Sequence, residues 1–323
     1  MQRFLCGRLK RFGTGVAVVL ISAAAYGGWE LTRPLTDFFP PPVAVEPGVY
    51  SPRTVAPTNG GPSLEEQILI LVNQERWNNG ELPPLKGNIL LDSASESHSV
   101  NMGTRDFFAH CDLDTGDMPW DRMVAAGYIY NTAAENIAAG NSTAAATMAQ
   151  WMGSSGHRAN ILSTSYRELG VGYAFDGSDI SNIRRDLNGD CAADSFGNGP
   201  YIHYWTQNFG RRNSVYPVVI DREAYSTETR EVELYLYGTG WATEMRLRNE
   251  NGSWTAWQAF ASTVQWQLSE GAGTKEVSAE IRNGGTVRSA SDTIHSNDDT
   301  VEHEVFSDGF ESGDESEWDT TFE

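Results

Sequence analysis

Trp151-Met152-Gly153-Ser154-Ser155-Gly156-His157-Arg158-Ala159-Asn160-Ile161-Leu162 decides the fold. An Ala-rich run precedes it, and Ser142 is placed to cap a helix there that carries Trp151. Gly153 to Gly156 breaks that helix, so Ser154 and Ser155 read as helix-end serines. His157 follows the break, and its imidazole needs partners. Three further stretches supply the residue types it could meet. They are Phe107-Phe108-Ala109-His110, Ala134-Glu135-Asn136-Ile137 and Tyr204-Trp205-Thr206-Gln207-Asn208-Phe209-Gly210.

Two imidazoles and one carboxylate, His110, His157 and Glu135, suit a divalent transition metal, zinc foremost. Three protein ligands would leave one position open for water or substrate. The alternative is a hydrogen-bonded network in which Glu135 orients both rings without metal. Ser154 or Ser155 with His157 and Glu135 also supplies a nucleophile, a base and an orienter, hence a hydrolase alternative acting on peptide or cell-wall substrate. The serines are not in a G-x-S-x-G elbow, and the chain has no H-E-x-x-H. Arg158, Asn160, Asn136 and Gln207 read as loop-tying hydrogen-bonders. His98 reads as a packed helix residue, and His203 falls on a late strand.

The four stretches, in this order and spacing, resemble the bacterial branch of the CAP superfamily (cysteine-rich secretory, antigen 5, pathogenesis-related; SCP-like). Gly170-Val171-Gly172-Tyr173 fits the strand expected after the second histidine. The resemblance covers about half the chain and implies an α-β-α sandwich with a large open cleft. It also implies two histidines and two acids on the cleft floor. His110, Glu135 and His157 match three of these, and the fourth position holds Ser154 instead of an acid. The family has been linked to lipid binding, signalling and proteolysis, so fold membership leaves the activity open. The expected ligand is a small molecule, a lipid or an envelope component, with no enzymatic activity required.

The 323 residues predict about two domains. With 23 Lys+Arg against 43 Asp+Glu the net charge is −20, which repels phosphate backbones and argues against nucleic acid as partner. Arg3, Arg8, Lys10 and Arg11 precede the apolar run Val16 to Ile21 and then Ala23-Ala24-Ala25. Residues 1–28 therefore read as a signal peptide of a secreted protein or, uncleaved, as a membrane anchor. Cys6 lies inside it. Cys111 and Cys191 remain as a disulfide candidate, with two free thiols the alternative.

Residues 29–62, with Pro40-Pro41-Pro42 and Gly60-Gly61, read as an extended linker. The sandwich is expected over 63–213. Ser63-Leu64-Glu65-Glu66 is a capping box, and Leu64, Ile68, Leu71 and Val72 follow at helical spacing. Helices are expected over 91–104 and from Pro119 to near Gly127, and strands over 170–175 and 201–209. The polar insertion 176–199 reads as a long loop. Within it Asp186, Asn188 and Asp190 resemble the first half of a calcium loop, although Cys191 replaces the glycine. A Cys111–Cys191 bond would pin this insertion beside His110.

From residue 214 the pattern changes to short alternating strands. Val232, Leu234 and Leu236 alternate with polar residues, and Asn251-Gly252 and Asn283-Gly284-Gly285 mark turns. An immunoglobulin-like β-sandwich is expected over 214–295. Trp254, Trp257 and Trp266 are its aromatics, for its core or for a surface polymer. Residues 296–323 read as an acidic disordered tail. The fold class is α+β.

Overall fold

The computed structural model describes residues 61–298. The expectations for residues 1–60 and 299–323, including the signal or anchor and most of the linker and tail, lie outside the described residues. Helix α1 (Leu64–Asn78) opens on the predicted capping box. Glu66 N donates to Ser63 Oγ at 3.2 Å, and Ser63 N donates back to Glu66 Oε2 at 2.7 Å.

The N-terminal unit continues through β1 (Lys86–Gly87), α2 (Ile89–Thr104), β2 (Phe107–Phe108), α3 (Pro119–Ala125) and β3 (Thr132–Ala139). Then come α4 (Ala144–Gly153), α5 (Ser155–Leu162), β4 (Glu168–Phe175), β5 (Asn182–Arg185), β6 (Ser195–Asn198) and β7 (His203–Arg211). One sheet has the order β1-β4-β7-β3, with β1 parallel to β4 and the other two pairs antiparallel. On one face Trp205 and Phe209 of β7 pack with Ile68 and Val72 of α1, Trp151 of α4 and Ile161 of α5. On the other face α2 lies so close that a Cβ at Gly170 or Gly172 would stand 2.1 Å from its backbone. These glycines are required there because any side chain would push α2 off the sheet. Small polar groups fill what remains: Ser99 donates to Thr206 at 2.9 Å, and Asn208 donates to the Ser95 hydroxyl at 2.9 Å. The result is the expected α-β-α sandwich.

Two local expectations need correction, and one strand was not anticipated. Thr143, not Ser142, caps α4, accepting from Ala146 N at 3.2 Å. The Ala134-Glu135-Asn136 stretch is a strand despite poor strand formers, because all eight residues of β3 pair with β7. The insertion is not all loop: β5 and β6 form an antiparallel hairpin, and β5 adds in parallel to β2. Ile183, fully buried, anchors that hairpin.

The C-terminal region is all β. Its strands are β8 (Val218–Ile220), β9 (Ser226–Thr227), β10 (Glu231–Leu236), β11 (Glu244–Asn249), β12 (Gln258–Ala259), β13 (Thr263–Gln267), β14 (Gly273–Asn283) and β15 (Thr286–Ser296). Sheets of order β13-β10-β8 and β12-β11-β14-β15-β9 enclose one core, in which Val232, Leu234 and Leu236 meet Leu247, Val277 and Ile281. The alternation in the sequence is the alternation in burial. Gly284, at φ +56°, makes the predicted tight turn between β14 and β15.

The two regions meet at β1. Lys86 is buried between Glu223 and Asp292, each at 2.5 Å. Asp221, Arg222 and Glu223 occupy the left-handed region in succession, at φ 41°, 55° and 65°. Each such residue costs on the order of 1 kcal/mol, so neighbours must hold the turn. Asn73 Nδ2 donates to Arg222 O at 3.0 Å, and the Arg222 guanidinium lies 3.8 Å over the Trp77 ring. Tyr237 OH donates to Pro84 O at 2.9 Å nearby.

Candidate functional site

Strand β3 is an edge strand, and the candidate cleft lies along its free edge. Glu135 and Ile137 turn their carbonyls outward, and side chains cap both. Asn160 Nδ2 donates to Glu135 O at 3.4 Å, and Trp151 Nε1 donates to Ile137 O at 3.1 Å. Asn136 ties the floor together, donating to His157 O at 3.2 Å and to Gln207 Oε1 at 3.1 Å. Asn136 and Asn160 tie α5 to β3 as read, and Arg158 reaches Asn79 Oδ1 at 2.7 Å, whereas Gln207 bonds across strands to Asn136 and its buried Nε2 has no hydrogen-bond partner.

His110 follows β2 and meets Glu135 across this edge. Its Nδ1 stands 2.9 Å from Glu135 Oε1. The second oxygen, Oε2, accepts from Arg122 Nη2 at 2.7 Å. The same nitrogen donates to His110 O at 2.9 Å, so α3 grips both residues through one guanidinium. Glu135 is 2% exposed, while half of the His110 side chain faces solvent. With Nδ1–H donated to the carboxylate, Nε2 becomes the available nitrogen.

Charge is distributed to match. Burial works against ionisation of Glu135, but His98, the His110 hydrogen bond and the Arg122 charge outweigh it and hold the carboxyl below its ordinary range. His98 lies beneath, its Nε2 2.9 Å from Ala109 O, and burial drives its pKa down to about 4. It is therefore neutral at pH 7, and Arg122 and His110 are what sustain the Glu135 charge. His157, on α5, is half-buried. Burial and the nearby His110 both press its pKa down, keeping it neutral, and its buried Nδ1 has no hydrogen-bond partner.

The other residues singled out from the sequence fall as follows. Ser154 sits between α4 and α5 as the cap position of α5, yet its hydroxyl makes no capping bond. Among the described residues neither Ser154 nor Ser155 hydrogen-bonds to His157. His203 Nδ1 is 2.8 Å from Tyr173 OH and packs beside Phe175, away from His110. Cys111 and Cys191 are bonded, with Cα atoms 5.6 Å apart across a sequence separation of 80. The insertion is thus fastened one residue from His110.

Among the described residues one trio of acids, histidines or cysteines brings its ligand atoms within 4.8 Å of one another: Asp186, Asp190 and Asp194. Asp194 adds to the three positions read from the sequence. Asn188 lies between them, its Nδ2 3.3 Å from Asp190 Oδ2 and 3.1 Å from Asp194 Oδ1. Glu135 is engaged by His110 and Arg122 on both oxygens, so it is placed to orient His110. Arg122 is the site residue that sequence reasoning missed; its one cue is its place in the Pro119-initiated helix.

The family model of the cysteine-rich secretory protein family, CAP, matches residues 69–209. These residues are a CAP domain. The match spans the cleft from α1 to Phe209. YkwD of Bacillus subtilis is 37% identical over 116 residues, 36% of this chain and 44% of that protein. YlbC of the same organism, described as a membrane protein, is 32% identical over 108 residues, 33% of this chain and 31% of that one. The chain spans less than half the length of either relative. Among solved structures, an extracellular SCP-domain protein of Bacillus anthracis is 26% identical, with TM-score 0.36, covering 49% of this chain and 45% of that one. No helix among the described residues is long and apolar enough to cross a membrane.

Proposed function

We propose that the CAP domain is an extracellular binding module whose cleft presents two imidazoles, His110 and His157, to a small molecule, lipid or envelope component. The observation that carries this reading is the use of both Glu135 oxygens. A carboxylate held by His110 at 2.9 Å and by Arg122 at 2.7 Å orients an imidazole and is poorly placed to act as a nucleophile or free base. The basic run and the apolar segment within residues 1–28 support the export reading.

A zinc ion would find two of its protein donors here, because Glu135 is spent on His110 and Arg122. His110 Nε2 and a His157 nitrogen would hold it, and the unpartnered Nδ1 of His157 is a nitrogen without another role. Bound zinc would supply an electrophilic centre for an oxygen or nitrogen of the ligand. Glu135 would keep the His110 ring in the donating tautomer. The hydrolase alternative lacks the contact it needs, since neither Ser154 nor Ser155 meets His157. The sealed edge of β3 also disfavours a peptide bound as an added strand.

In the β-sandwich, arginines stack on two of the three tryptophans singled out from the sequence. Trp254 carries Arg246 at 4.9 Å and Arg248 at 4.5 Å, and Trp257 carries Arg246 at 4.6 Å and Arg282 at 4.1 Å. Arginines thus occupy the ring surfaces a sugar would stack on. Calcium at Asp186, Asp190 and Asp194 is a separate proposal, tested by the effect of calcium on loop protection in hydrogen exchange.

The cleft reading is tested on protein isolated from its natural source. Extracts of wild type are compared by mass spectrometry with those of the His110→Ala, His157→Ala double variant. A molecule retained by the first and absent from the second is expected; identical extracts would contradict the reading.

A further inference from the structure

A second recess lies far from the cleft chemistry, where α1 and β1 meet β14 and β15. It is small and open to solvent on one side. Junctions between two folded regions are where small ligands commonly bind. Its floor is the buried Lys86, already matched by Glu223 and Asp292. Glu66 stands on the α1 wall, and among the described residues no arginine or second lysine lines the recess. Three carboxylates therefore act against one ammonium. Leu69, Ile70 and Ile294 give the walls an apolar character. His295 completes one side, and its buried Nδ1 has no hydrogen-bond partner, so no protein contact at that nitrogen fixes the ring.

We infer that this recess is a binding site for a small aliphatic amine, separate from the CAP cleft. The excess of carboxylate selects a cation over a neutral or anionic ligand. The walls take methylene groups, and Glu66 receives the ammonium head at the mouth, away from Lys86. A metal ion fits the recess less well, because Glu66 and Glu223 already spend oxygens on Ser63 and Lys86. The site depends on both regions of the chain, so it exists only in the joined molecule.

The experiment is an NMR titration of the full chain with n-butylamine, against n-butanol and butyrate. Butylamine is expected to shift resonances of Ile70, Thr293 and His295 saturably, and the two controls are expected to do so at least about tenfold more weakly. Glu66→Gln removes the charge while keeping a side chain able to complete the capping box, so the helix survives. It is expected to weaken butylamine by about tenfold. Thr274→Lys places a cation at the rim from an exposed residue and is expected to abolish the shifts. Equal binding of butanol, or butylamine shifts unchanged in both variants, would overturn the assignment. So would the absence of any shift with butylamine.

Discussion

Arg122 lies 2.7 Å from Glu135 at a point where 7% of one side chain and 2% of the other meet solvent. Such a pair is costly to break from one side, because the remaining charge is stranded in a buried place. Arg122→Met is expected to lose about 3–5 kcal/mol in urea unfolding at pH 7. Arg122→Lys should recover part of this. A loss near the roughly 0–1 kcal/mol of surface pairs would mean that Glu135 does not depend on Arg122.

His98 makes the stability pH-dependent. Its folded pKa, about 4, is below the ordinary 6.5, so the unfolded chain binds the extra proton between these values. Its contribution is complete above pH 6.5, declines as pH falls toward 4 and levels off below. The decline is on the order of 3 kcal/mol. Glu135, also depressed, adds a loss below its ordinary 4.5. Urea midpoints of wild type and His98→Gln between pH 7 and 4 should diverge at the neutral end and converge at the acid end. Parallel curves would remove His98 from the explanation.

The Cys111–Cys191 bond closes a separation of 80 residues. Chain entropy alone gives such a link about 4.5 kcal/mol. Cys191→Ser is expected to lower stability by up to that amount and to speed amide exchange in β5 and β6. The N-terminal helix α1, remote from the bond, should keep its protection. Unchanged exchange in the hairpin would mean that β2 pairing alone holds it.

Lys86, Glu223 and Asp292 bind the CAP domain to the sandwich, and the left-handed turn at Asp221–Glu223 takes contacts from both sides. Calorimetry should therefore give one unfolding transition for the two regions. Asp292→Ala should lower it by about 3–5 kcal/mol. Two separate transitions would make the joint incidental.

The meeting of His110 with Glu135 was legible in the sequence. His110, Glu135 and His157 stand in stretches whose order carries the family, and alternation in β10 and β11 gave the sandwich. Arg122 was not legible, because its role depends on α3 turning it toward Glu135 and not outward. β3 was hidden by Ala, Glu and Asn, residues whose strand state comes from pairing with β7. The hairpin β5–β6 was hidden for a similar reason: four-residue strands leave too little alternation to read.

Zinc titration by calorimetry of the full chain at pH 7, repeated with His110→Ala, His157→Ala and Glu135→Gln, bears most directly on the cleft. One zinc per chain is expected, lost in either histidine variant and weakened about 10–100-fold in Glu135→Gln. No binding by wild type, or binding that survives both histidine changes, would contradict the placing of two available imidazoles in one site.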